Sequence, residues 1–183
     1  MNVEETSISG LLILTPKVHQ DTRGYFTESY NRKTLSGLGL SQDWVQDNES
    51  KSVYGVVRGL HFQLPPFSQT KLVRVISGEI YDVAVDLRPG SPTSGKWVGV
   101  ILSGDNHRQL LIPKGFAHGF SVLSHEAIVF YKCDQYYHPA SDTGIRYNDP
   151  VLKINWKIPL PDIQVSEKDR QLPWFDAGRK YFD

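Results

Sequence analysis

The run Lys71-Leu72-Val73-Arg74-Val75-Ile76, the step Ser77-Gly78 and the run Glu79-Ile80-Tyr81-Asp82-Val83-Ala84-Val85-Asp86-Leu87 decide the fold class. Both runs are rich in β-branched and aromatic side chains, which suit a pleated, half-buried surface better than a helix. The Ser-Gly step reads as a tight hairpin turn, so the two runs are expected as adjacent antiparallel strands. Similar runs recur at 11–15, 25–30, 56–63, 97–102, 109–112 and 127–133, and Arg88-Pro89-Gly90-Ser91-Pro92 forms a longer punctuated loop. Only 31–39 has helical character, and Gly37 and Gly39 keep it short. From Pro150 onward the pattern dissolves into Pro159, Pro161 and Pro173 among polar residues, which reads as an arm packed on a finished barrel. The expected architecture is all-β: one jelly-roll barrel domain over residues 1–183, with short helices and an irregular C-terminal arm.

Composition narrows the function. Twenty basic and twenty acidic residues cancel, so no global field favours nucleic acid or an anionic membrane, and any recognition by charge must be local. Cys133 is the only cysteine, which excludes an intrachain disulfide and argues against a metal-thiolate cluster; a reducing, cytoplasmic setting is expected. The N-terminus is acidic, and no apolar run approaches the ~18 residues of a membrane span, so neither secretion nor insertion is expected.

The chemistry concentrates in three apolar runs. Arg58-Gly59-Leu60-His61-Phe62-Gln63 sets a histidine beside a cation. Strict alternation puts Val57, Gly59, His61 and Gln63 on one face and Arg58 on the other, so both polar groups reach one ligand only if the strand bulges, which Gly59 permits. The plainer alternative is a hydrogen-bonded core histidine and a surface cation. Lys71 shares a face with Val73 and Val75: either its ammonium is carried inward, where it can stabilise an oxyanion, or it merely begins an edge strand. His118 lies between Phe116 and Phe120 on one face and requires a partner if buried. Tyr131 alternates with Val129 and Cys133, either as a titratable group lining the same cavity or as an ordinary barrel aromatic. Arg23 and Gly24 follow Asp21 in a turn leading to Phe26 and Glu28, and Gln46-Asp47-Asn48 offers amides to a sugar or a base. A barrel metal site wants His-x-His on one strand, but Gln63 occupies that place after His61; His19, His107, His125 and His138 sit in polar contexts expected at the surface.

Taken in order, these segments, with Gly115-Phe116-Ala117-His118-Gly119-Phe120, Tyr136-Tyr137, Asn148-Asp149-Pro150 and Ser166-x-Lys168-Asp169, resemble the dTDP-4-dehydrorhamnose 3,5-epimerase family of cupin-type enzymes over most of the chain. The resemblance implies a cupin-like homodimer without metal or organic cofactor, acting on a dTDP-linked 4-keto-6-deoxyhexose. A ketone at C4 acidifies the hydrogens on C3 and C5, so a base can remove each and reprotonation on the opposite face inverts the centre. By the same resemblance His61 is the base, Asp169 its orienting carboxylate, Lys71 the cation facing the enolate oxygen and Tyr131 the opposing acid. Arg23, Arg58 and Lys168 then lie near the diphosphate or its sugar, Gln46 and Asn48 make polar contacts, Phe26, Glu28 and Tyr136 meet the nucleotide, and His118 touches the substrate. Where many members carry glutamate this chain offers Asp142 or Ser141. Members that invert only C3 or only C5 keep nearly the same base and acid, so a mono-epimerase is the first alternative; a metal-dependent cupin and a catalytically silent sugar-nucleotide binding module are the others.

Overall fold

The structure, a computed structural model, describes residues 1–182. Two antiparallel sheets face each other. One contains six strands in the order β1 (Asn2–Glu5), β2 (Leu12–Thr15), β10 (Gln109–Ile112), β7 (Lys71–Ser77), β12 (Glu126–Cys133) and β5 (Gln46–Val53). The other contains β13 (Asp142–Gly144), β6 (Val57–Gln63), β11 (Phe116–Val122), β8 (Glu79–Asp86) and β9 (Trp97–Ser103). A separate hairpin of β3 (Val18–Asp21) and β4 (Gly24–Thr27) stands outside both. The all-β, cupin-like expectation holds.

Alternation supplies the barrel core. Val73 and Val75 from β7, Leu110 and Ile112 from β10 and Val129 from β12 meet Ala84, Val100, Leu102, Phe116 and Phe120 from the opposing sheet, all buried. The outer face of the five-stranded sheet, with Val57, Leu60, Phe62, Val83 and Val85, is covered by Leu152, Trp156, Tyr181 and Phe182 of the C-terminal segment. That segment is the predicted arm: it contains little regular structure beyond a single 3-10 turn and the short helix α2 (Glu167–Arg170). Helix α1 (Arg32–Gly37), capped by the Asn31 side chain, packs Leu35 against Leu14, Leu72 and Leu111 on the other sheet.

One expectation fails. Ser77-Gly78 is not a hairpin between paired strands, because β7 and β8 belong to different sheets. Gly78 has φ of +81°, and a Cβ there would meet the Glu126 carbonyl oxygen at 2.1 Å, so the step is a tight corner that carries the chain from one sheet to the other. The later proline-glycine loop does join antiparallel neighbours, β8 and β9.

The bulge in β6 positions the site. His61 pairs with His118 and Arg58 with Phe120, so β6 spends three residue steps where β11 spends two. Val57, Leu60 and Phe62 therefore all face the outer core, while Arg58 and His61 both line the cavity. Gly59 absorbs the extra residue at φ of +126°; a Cβ on it would stand 2.5 Å from the Gly119 Cα.

Candidate active site

The two sheets open around a cavity of about 480 Å³, walled by Arg58, His61 and His118 on the five-stranded side, by Lys71 and Tyr131 on the six-stranded side, and by Ser166, Lys168 and Asp169 of the arm. A second compartment of about 300 Å³ shares His61, Lys71, Tyr131 and Lys168 with it and extends to Gln46, Asn48, Gln69, Tyr137 and Asp142. His61 and Tyr131 thus project from opposing sheets into one space.

Asp169 orients His61. Its Oδ1 lies 2.7 Å from His61 Nε2, and its Oδ2 accepts from the Gly59 N–H at 3.2 Å. The short α2 holds the carboxylate in place through Ser166, whose Oγ accepts from the Asp169 N–H. Burial pushes the Asp169 carboxyl up, but the hydrogen bond and charge of His61, with the Gly59 and Ser166 bonds, outweigh it and hold the group below the ordinary carboxylate value. The partners are 108 residues apart in the chain, so the arm completes the site by folding back over the barrel.

A second histidine–carboxylate pair lies deeper. His118 Nε2 stands 2.7 Å from Asp82 Oδ1, with both residues buried. Burial pulls the His118 pKa below the ordinary imidazole value, against the opposing pull of Asp82. Asp82 carried a legible signal, since it alternates with Ala84 and must share its inward face. Lys71 has no ion-pair partner among the described residues, and burial draws its pKa below the ordinary lysine value. Its Nζ lies 6.0 Å from the centre of the Tyr131 ring. Burial pushes the Tyr131 hydroxyl up, so the phenol stays protonated at neutral pH.

Other predicted residues divide. Arg58 lines the cavity with its Nε donating to Ser52 Oγ. Gln46 accepts from the Tyr137 N–H and donates to Asn48 Oδ1, while Asn48 donates to the Cys133 sulfur at 3.7 Å, so these amides brace the wall they line. Asp142 and Lys168 face each other across the mouth at 2.6 Å. Tyr136 is 64% exposed and lines neither compartment; Tyr137 does. The inward parity of Tyr131 and Cys133, carried past the strand end, was the signal for it. Arg23, Phe26 and Glu28 lie apart from the cavity on or beside the β3–β4 hairpin, Arg23 paired with Asp21 at 2.6 Å and Phe26 70% exposed. His107 and His138 are half-buried rather than solvated: His107 meets the Tyr25 ring, and His138 stacks on Phe67 with centroids 3.8 Å apart. No group of three or more His, Cys, Asp or Glu among the described residues is placed to hold a metal ion, and no helix is long and apolar enough to cross a membrane.

The chain is similar to known proteins along nearly its whole length. A family model described as dTDP-4-dehydrorhamnose 3,5-epimerase matches residues 5–177. The dTDP-4-dehydrorhamnose 3,5-epimerase of Methanothermobacter thermautotrophicus is 54% identical over 91% of this chain and 90% of its own. Among solved structures, the Bacillus anthracis enzyme of that name, with TDP and pyrophosphate bound, superposes with a TM-score of 0.92 at 51% identity, covering 95% of this chain and 99% of that one. A Legionella pneumophila dTDP-6-deoxy-D-glucose-3,5-epimerase in complex with dTDP-4-keto-L-rhamnose gives 0.89 at 49% identity, covering 96% and 99%.

Proposed function

The chain belongs to the dTDP-4-dehydrorhamnose 3,5-epimerase family, and on that premise we propose how its own residues carry out the reaction. The protein is an isomerase that converts dTDP-4-dehydro-6-deoxy-D-glucose to dTDP-4-dehydro-L-rhamnose, in dTDP-L-rhamnose biosynthesis. The single observation that carries the proposal is the placement of His61 and Tyr131 on facing sheets of one cavity with Lys71 beside the phenol.

His61 takes the proton from C3, the C–H electrons move into the C3–C4 bond, and the carbonyl electrons go to the C4 oxygen, where the Lys71 ammonium meets the charge. Asp169 holds the imidazole in the accepting tautomer and stabilises the imidazolium. The Tyr131 hydroxyl then protonates C3 from the opposite face as the enolate collapses to the ketone. Solvent removes the proton from His61 and returns one to the tyrosinate, and the cycle repeats at C5. The whole chain serves as one domain in this scheme.

That resetting step makes the reaction visible. In deuterated water the purified protein should label dTDP-4-keto-6-deoxyglucose at both C3 and C5, read at each ring carbon by NMR. Absence of exchange at both carbons would sink the mechanism, and exchange at one alone would replace it with single inversion.

Arg23, Phe26 and Glu28 fit the scheme only if a second copy presents them. The hairpin that bears them projects with Tyr25 and Phe26 exposed, and β5, which contributes Gln46 and Asn48, is an edge strand with one side unpaired. A homodimer in which the hairpin of one chain closes the nucleotide end of its partner's cavity uses both features. Sedimentation should give twice the 20.8 kDa chain mass, and a monomer at working concentration would leave these three residues without a role.

A further inference from the structure

Lys168 and Asp142 reach each other from opposite sides of the cavity mouth, the lysine on α2 and the aspartate on β13. Lys168 Nζ stands 2.6 Å from Asp142 Oδ2, and the Tyr137 hydroxyl donates to the same oxygen at 3.2 Å. Lys168 lines both compartments, so a ligand spanning them must pass this pair. The two members are not equally fixed: the lysine side chain is 62% exposed and the aspartate side chain 14%. The ammonium is therefore the mobile partner. The neighbouring carboxylate, Asp169, is already committed to His61 and Gly59 and cannot take Asp142's place.

The chemistry of the contact decides which way it acts. An ion pair this open to water contributes little, whereas a diphosphate offers several charged acceptors to the same ammonium. An arriving diphosphate takes Lys168 and leaves Asp142, an anion, facing another anion. A carboxylate so placed cannot anchor the diphosphate. Resting on the site assignment above, we propose that Asp142 is a built-in competitor for Lys168: the diphosphate must break the pair to bind, and its re-formation drives the nucleotide out, so that Asp142 sets the residence time of the product.

Stopped-flow binding of dTDP tests this with Asp142→Asn, Lys168→Gln and the double variant. Asparagine is isosteric and still accepts from Tyr137, so it removes the charge and leaves the rim in place. Asp142→Asn should slow dTDP dissociation by about two- to fivefold, the most that an ion pair this open to water can contribute. In the Lys168→Gln background the same change should alter dissociation by less than about twofold. Asp142→Glu, which keeps the charge within reach of Lys168, should dissociate close to the wild-type rate. Unchanged or faster dissociation in Asp142→Asn, an equal gain without Lys168, or slow release from the glutamate variant would each overturn the proposal. Wild-type protein that fails to bind dTDP would instead overturn the site assignment on which the competition rests.

Discussion

Replacing His61 with alanine should lower the rate of epimerisation by about 10²–10⁴-fold, the range a positioned general base supplies. The loss should appear equally in deuterium exchange at C3 and at C5, because one imidazole on one wall serves both centres. Binding of dTDP should change little, since the groups assigned to the diphosphate, Arg58 and Lys168, keep their places. The variant also strands Asp169, whose buried carboxylate would retain only the hydrogen bond from the Gly59 N–H. Its pKa should rise towards or above the ordinary value once the imidazole no longer opposes burial. In the wild type, Asp169 is held below its unfolded value, so its contribution to stability is present above the unfolded pKa and is lost as pH falls through the folded one. The alanine variant should accordingly lose part of that acid-side dependence. Exchange at either carbon at the wild-type rate would remove His61 from the mechanism.

Lys71→Met should separate activity from stability. The thioether fills nearly the same volume without the charge, so the enolate oxygen loses its counter-ion and turnover should fall by about 10²–10³-fold, as when one preorganised oxyanion donor is removed. Stability should move the other way. A lysine whose pKa is lowered by burial is penalised in its charged form in the folded state, and that penalty is present at every pH below the ordinary lysine value, neutrality included. Methionine removes it, so the unfolding midpoint at pH 7 should rise. A half-buried cation with no ion-pair partner among the described residues is kept at a cost to the fold, the usual mark of a group retained for function. Wild-type turnover in the methionine variant would exclude Lys71 from oxyanion stabilisation.

Which parts of the molecule could be read from the chain follows from where each strand looks. The runs containing Val73, Val75, Val129 and their neighbours face a dry core and announce themselves. Strand β5 does not: Gln46, Asn48 and Ser50 line a polar cavity, Asp47, Glu49 and Lys51 face water, and no apolar stripe remains to mark it. The Ser77-Gly78 turn was legible as a turn, but a two-residue signal cannot say which sheet receives the next strand. The bulge was legible because the demand that Arg58 and His61 face one ligand left Gly59 as the residue able to absorb an extra step. The pairing of His61 with Asp169 and of His118 with Asp82 depends on long-range folding; only resemblance to a family indicated the first, and parity with Ala84 alone hinted at the second. Tyr136 entered only through resemblance to the family, whereas Tyr137, which lines the second compartment, lies past the end of its strand, where parity is hard to carry.

The wall that bears the base is fastened to its neighbour by two missing side chains. A methyl group on Gly59 would press into the main chain of the adjoining strand, and one on Gly119 would stand 2.7 Å from the Arg58 carbonyl oxygen. Combinatorial libraries aimed at new sugars should therefore hold both positions constant and spend their diversity on Gln46, Asn48, Tyr137 and Asp142. A hit at either glycine would report a rebuilt barrel, not a retuned one.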